Sequence, residues 1–317
     1  MTFEPLSRRR FAGAALASLP LLSSALRAQV ATPITDGTPV PTATDSSMHL
    51  TIAVEVNGRG PFRFVVDTGA DRSVLADTTV EALALHRNGA VDLAGIARTV
   101  RTETVDVASR SFGATTRRNL NLPVLPRSLL AADGYLGLDM LDGNRVILDF
   151  AEQQLTVTDP LPVYSAVYHD PHLIVLHSQG SGGHLRTTTC SIDRIPVRAF
   201  IDTGAESTMG NEVLYRALVE SDTSHASTQT VALTGLTGGT AIGRLTSPRE
   251  VRIGRATLTD CPIAIADLQV FDIWGLNDRP ALLIGMNWLR HFKRVEVDYG
   301  RKDLRFEVGR SHYDINA

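Results

Sequence analysis

The chain has 317 residues, a formal net charge of -3 and 43% hydrophobic content. That is enough for one large or two modest cores, and the near-neutral balance leaves no basic excess, which argues against nucleic acid as a partner. Aromatics are only 6%; the abundance of Val, Leu, Thr and Gly favours short strands and tight turns over long helices.

In chain order the first segment reads as an address. SRRRF (Ser7 to Phe11) precedes the mildly apolar AGAALASLPLLSSAL, and a small-residue site lies near Ala28-Gln29. A basic region, a short apolar region and a small residue at the cut describe an export signal over residues 1–28. The paired arginines resemble a bacterial twin-arginine signal, although Ala12 stands where Leu is usual; a general secretory signal is the alternative. The expectation is an exported, periplasmic or secreted bacterial protein, tethered to the inner membrane if the signal is uncleaved. No later apolar run reaches the roughly 20 residues that span a bilayer, so no stable membrane span is expected once the signal is removed.

Residues 29–47 are rich in Pro, Thr and Ser and predict an extended linker. Strand patterns then begin. HLTIAVEVNGRGPFRFVVD alternates around Asn57-Gly58, a hairpin turn signal. Strand-like pieces continue through VDLAGIARTVRTETVDV and NLNLPVLP to RVILDFAEQQLTVTD. DPLPVYSAVYHDP, residues 159–171, interrupts the pattern with three prolines and predicts a boundary.

Beyond it the pattern restarts. FVVDTGAD in the first half is matched by AFIDTGAE in the second, with Asp67 and Asp202 135 positions apart. DGYLGLDML (Asp133 to Leu141) is matched by ALLIGMNWL (Ala281 to Leu289), and RVILDFAEQQLTV by RVEVDYGRKDLRF. Three features in the same order indicate an internal duplication of a unit of about 110–140 residues, far longer than a solenoid repeat.

An Asp ending an apolar strand is costly to bury alone, so it needs a partner or a task. The following Thr and Gly supply a hydroxyl and a turn free of Cβ crowding. Folded about a pseudo-twofold axis, the duplication brings Asp67 and Asp202 face to face. Two touching carboxyls share a proton: one can take a proton from water while the other donates to a carbonyl oxygen.

The doubled Asp-Thr-Gly-Ala after apolar residues, each answered downstream by an apolar-apolar-Gly motif, resembles the retropepsin-like aspartic proteases over residues 48–309. DTGAD followed by Ser-Val-Leu is similar to the viral members; here the two halves are fused, as in the pepsin-like members. The resemblance implies an all-β fold with short helices, in which two pseudo-twofold-related β-barrel lobes enclose the site. Residues 48–158 would form the N-terminal lobe, 159–171 an inter-lobe linker, 172–309 the C-terminal lobe and 310–317 a tail.

It further implies a catalytic dyad of Asp67 and Asp202 and a peptide or protein substrate cut without cofactor or metal. Thr68, Gly69 and Ala70 would support one loop; Thr203, Gly204 and Ala205 would support the other. Gly137 and Gly285 would lie on the strands threading behind those loops. Glycine-bearing flaps are expected around Gly95 and around Gly235, Gly238 and Gly239, neither carrying the flap tyrosine of the pepsin branch. With both halves on one chain, the expected active form is a monomer.

The remaining features are plainer. Cys190 and Cys261 could form a disulfide in an oxidising compartment or stay as buried thiols. Asp71 and Glu206 read as solvated or paired loop residues, and Trp274 and Trp288 as core or cleft wall. HDPH (His169 to His172) lacks a third ligand for a metal site. Two rival readings stand: a peptide-binding protein that kept the fold and lost turnover, and a glycosidase with two carboxylates, which would need wider spacing and no bracing threonines.

Overall fold

The computed structural model describes residues 37–45, 48–162, 172–178, 185–222 and 227–309. The first half opens with β1 (Val40–Pro41) and β2 (Ala43–Thr44). Both fall inside the stretch read as an extended linker, and both pair: β1 joins a later strand and β2 the next one. The Pro- and Thr-rich composition signals extended chain, and an extended chain at a sheet edge tolerates a proline that donates no N–H.

The hairpin β3 (Leu50–Val56) and β4 (Arg59–Val66) turns at Asn57-Gly58, whose φ values of 54° and 68° are those its turn type demands. Then come β5 (Val74–Ala76), α1 (Asp77–Ala82), the long hairpin β6 (Arg87–Ala94) and β7 (Thr99–Phe112), and β8 (Thr115–Leu125). The half closes with α2 (Arg127–Leu130), β9 (Gly134–Leu136), α3 (Leu138–Leu141), β10 (Arg145–Asp149) and β11 (Gln154–Thr158).

The second half starts with β12 (Leu173–His177) and the hairpin β13 (Arg186–Ile192) and β14 (Ile195–Ile201). It continues through β15 (Met209–Gly210), α4 (Glu212–Ser221) and the hairpin β16 (Thr230–Thr234) and β17 (Thr240–Thr246). Next are β18 (Val251–Ile253), β19 (Ala256–Leu258), β20 (Ile263–Ile265) and α5 (Gln269–Ile273). The last elements are β21 (Ala281–Ile284), α6 (Met286–Leu289), β22 (Arg294–Asp298) and β23 (Asp303–Glu307).

The fold is all-β with short helices, as expected. An eight-stranded sheet, ordered β2-β3-β4-β9-β5-β8-β7-β6, belongs to the first half, and a nine-stranded sheet, β16-β17-β20-β15-β21-β14-β13-β18-β19, to the second. The halves repeat the same threading. β9 lies parallel to β4, with Val65 opposite Tyr135, and antiparallel to β5; β21 lies parallel to β14 and antiparallel to β15. Each apolar-apolar-Gly motif is thus the strand inserted beside the one that delivers an aspartate.

A third sheet, ordered β1-β11-β10-β22-β23-β12, draws strands from both halves. β10 of the first half pairs with β22 of the second, from Arg145 opposite Asp298 to Asp149 opposite Arg294. Its inner face, with Val146, Leu148, Val295 and Phe306, joins one continuous core that also contains the interior of both lobes. Two smaller apolar clusters lie outside that core. One holds Val65, Val74, Leu125 and Tyr135, the other Phe200, Met209, Leu233, Phe271 and Leu283. Among the described residues no helix is long and apolar enough to cross a membrane.

Candidate active site

β4 runs through Phe64, Val65 and Val66, all fully buried, into Asp67; β14 runs through Phe200 and Ile201 into Asp202. The amide of Asp67 is held by Leu136 O at 2.9 Å and that of Asp202 by Ile284 O at 3.0 Å, so each inserted strand fixes the start of one loop. The aspartates are only 5% and 8% exposed, and their carboxyl groups hydrogen-bond to each other. The loops then return to them. Gly69 and Ala70 donate backbone N–H groups to Asp67 Oδ1 at 2.9 and 3.0 Å, and Gly204 donates to Asp202 Oδ1 at 2.9 Å.

The threonines cross between the halves. Thr68 Oγ1 donates to Ile201 O at 3.0 Å and accepts from the Thr203 amide at 3.1 Å. Thr203 Oγ1 donates to Val66 O at 2.6 Å and accepts from the Thr68 amide at 3.2 Å. Both side chains are buried. Glycine is demanded next to them by space: a Cβ on Gly69 would lie 2.5 Å from Asp202 Cγ, and one on Gly204 2.4 Å from Asp67 Cγ. Gly137 and Gly285 are equally confined, each against the backbone of the aspartate-bearing loop of its own half.

Burial raises the pKa of both aspartates, because a charged carboxylate loses its water there. For Asp67 the neighbouring Asp202 charge adds to the rise, against the pull of its two amide donors, and it ends well above the usual carboxyl range. For Asp202 burial is again the largest cause, and the amides and the hydrogen bond from Asp67 pull the other way. Two buried carboxyl groups so close do not both ionise readily, and their titration belongs to the pair. Such a pair can give a proton to one oxygen and take one from another.

The two glycine hairpins meet at their tips. Thr237 Oγ1 donates to Arg98 O at 3.0 Å, and Arg98 Nε donates to Thr237 O at 2.8 Å. Thr237 is buried by this contact at 2% exposure. The hairpin glycines lie in it: a Cβ on Gly95 would come within 2.2 Å of Thr237 Oγ1, one on Gly235 within 2.7 Å of Ile96 Cγ1, and one on Gly239 within 2.8 Å of Arg98 Cγ. Gly238 has a φ of 74°, which suits glycine, and faces Arg98 Nη2 and Leu129. The tips also exchange apolar residues. Ile96 of the first hairpin packs on the second half's small cluster, and Leu236 of the second packs on the first half's.

Sequence reasoning missed a pair of braces behind the loops. In the second half Thr208 directs its N–H and its hydroxyl to Asn287 Oδ1, at 2.8 and 2.7 Å, and its hydroxyl accepts from Gly285 N at 3.1 Å. In the first half Ser73 does the same with Asp139 Oδ1 and Gly137 N. The spacing carried the signal: a hydroxyl residue six positions after each aspartate and an Asp or Asn two after each later glycine.

The disulfide does not form. Cys190 and Cys261 are buried free thiols: Cys190 sits in β13 opposite Val197 and Ile253, whereas Cys261 follows β19 and donates to Thr259 O at 3.3 Å. Burial raises both, Cys190 to about 12 and Cys261 to about 11, the behaviour of inert packing residues. Asp71 and Glu206 are exposed, and their backbone carbonyls accept from the amides of Asp139 and Asn287. Trp288 is core, and Trp274 is half-buried edge-on against Phe200 at 4.0 Å. His169 lies outside the described residues.

Comparison with known proteins agrees with this geometry. The family model described as aspartyl protease matches residues 52–140 and again 188–288, once in each half. The chain belongs to the retropepsin-like aspartyl proteases, with two lobes fused in one chain. No individual curated protein matches it.

Proposed function

We propose that this protein is an aspartic endopeptidase whose dyad is Asp67 and Asp202. The observation that carries the reading is the hydrogen-bonded carboxyl pair, buried between reciprocal threonines and roofed by two glycine hairpins. The ionised member of the pair takes a proton from a water, whose oxygen adds to the peptide carbonyl carbon. The protonated member gives its proton to the carbonyl oxygen. Collapse of the tetrahedral adduct breaks the C–N bond; the leaving nitrogen takes the proton that the dyad took from water, while a hydroxyl of the adduct returns its proton to the dyad as the new carbonyl forms, so the original protonation state returns.

The substrate fitting this frame is an extended peptide lying under the hairpins, with apolar side chains against the clusters around Tyr135 and Phe271. A glycosidase is disfavoured, because carboxyl pairs that cleave glycosidic bonds stand about 5 Å or more apart. Both aspartates come from one chain, so the active form is proposed to be a monomer. The arginine-led segment over residues 1–28 is proposed to direct export.

The test is hydrolysis of a denatured protein mixture across a pH series by the wild type, Asp67→Asn and Asp202→Asn, with a statine-type inhibitor as control. Cleavage at acidic pH that is abolished in both variants and by the inhibitor is expected. A folded wild type that cuts nothing at any pH would favour a binding protein on the same fold.

A further inference from the structure

The two braces behind the loops differ in one respect. In the second half the acceptor is the neutral amide oxygen of Asn287, and among the described residues no guanidinium reaches it. In the first half the acceptor is the carboxylate of Asp139, and Arg110 lies beside it. Arg110 is fully buried; its Nη2 donates to Ser73 Oγ at 2.7 Å and lies 3.5 Å from Asp139 Oδ2. Its Nε and Nη1 are buried without partners. Burial, partly offset by Asp139, lowers its pKa to about 10, so it stays charged at neutral pH.

The Ser73 hydroxyl is thus saturated: it donates to Asp139 and accepts from Gly137 N and Arg110 Nη2. Gly137 is wedged against Ala70 O and Arg72, and it directly follows Leu136, the last residue of β9, whose carbonyl holds the Asp67 amide. Position therefore passes from Arg110 through Ser73 and Gly137 to the Asp67 loop. A guanidinium with two orphaned donors is costly in a core, and its counterweight here is the carboxylate that replaces the second half's amide.

We propose that Arg110 is a positioning residue for Asp67: it neutralises Asp139 so that a charged brace can hold the first loop as Asn287 holds the second. This rests on Asp67 belonging to the reacting pair. It makes the two halves electrostatically unequal at their backs while the site itself stays nearly twofold. The carboxylate and the guanidinium are needed together, and a neutral pair patterned on the second half should replace both.

The experiment compares full-length Arg110→Met, Asp139→Asn, the double variant and Asn287→Asp, by melting temperature and by kcat and KM on one peptide. Arg110→Met should melt lower and lose more than tenfold in kcat with a smaller change in KM. The double variant should recover most of both. Asn287→Asp, with Arg110 intact, should show losses like those of Arg110→Met, because it places a carboxylate where no guanidinium waits. If Arg110→Met does not accumulate folded, recovery of folded protein in the double variant is the expected result. Wild-type behaviour of Arg110→Met, or a double variant no better than it, overturns the proposal. A wild type without hydrolysis would instead defeat the peptidase reading, and the melting temperatures would still judge the brace.

Discussion

Arg98 and Thr237, 139 positions apart, exchange hydrogen bonds across the tips of two hairpins that belong to opposite halves of the duplication. The contact is unlike in its two directions, a guanidinium one way and a hydroxyl the other, so the roof of a nearly symmetric site is itself asymmetric. Glycine makes it possible: at Gly95 and Gly235 any side chain would occupy the space of Thr237 or Ile96.

Loosening that contact should speed entry to the cleft. Thr237→Val removes one hydrogen bond, worth about 1 kcal/mol or roughly a fivefold shift towards open hairpins. Gly95→Ala should shift it further, because its methyl meets Thr237 directly. Faster inhibitor association and faster amide exchange at residues 95–98 and 235–239 are the expected readouts. Unchanged exchange in both variants would mean that the tip contact does not hold the hairpins.

Gly69→Ala and Gly204→Ala place a methyl against the carboxyl group of the opposite half. Overpacking of this kind costs about 1–3 kcal/mol, and displacing a reacting group by about 1 Å can cost a hundredfold in rate. Both variants should stay folded and lose about two orders of magnitude in kcat. A variant with wild-type turnover would mean that each carboxyl lies farther from the opposite glycine than contact distance.

Thr68→Val orphans the Thr203 amide and the Ile201 carbonyl, both buried, at about 1–3 kcal/mol for each group. Thr203→Val does the same to Thr68 and Val66. Either substitution should lower the denaturant midpoint and the rate together, and Thr68→Ser should restore most of both. The two losses should not add in the double variant, because each threonine is the other's partner.

The dyad should destabilise the fold at neutral pH. Both carboxyls titrate higher folded than unfolded, so the folded state binds more protons. The stability they contribute is complete below the unfolded carboxyl pKa, near 3.8, and is lost as pH rises through the folded values. Asp67→Asn, unable to ionise, should therefore melt above wild type at neutral pH and converge with it near pH 3, while losing activity. A melting temperature equal to wild type across that range would contradict shared-proton burial.

The duplicated loops were legible because each needs a particular residue at a particular place: an Asp at a strand end, a hydroxyl beside it, then a glycine for close approach. The hairpins were legible for the same reason. Arg110 was not, because an arginine in TVDVASRSFG on a long hairpin reads as solvent-facing, and only the tertiary packing buries it. The same holds for residues 37–45, where composition separates extended chain from helix but says nothing about whether an edge is waiting. The thiols were ambiguous since strand-like surroundings fix neither distance nor direction between two cysteines.

The pairing of β10 with β22 has a consequence for how the halves could be handled as separate molecules. A chain cut between residues 159 and 171 would leave each piece with an open strand edge whose natural complement is the other piece. Each fragment alone would be prone to stick to its own kind. Mixed, the two should find each other, and the returning activity would report reassembly, rising with the product of their concentrations. The fused protein needs no such encounter, which makes it a dimer whose second subunit is always present.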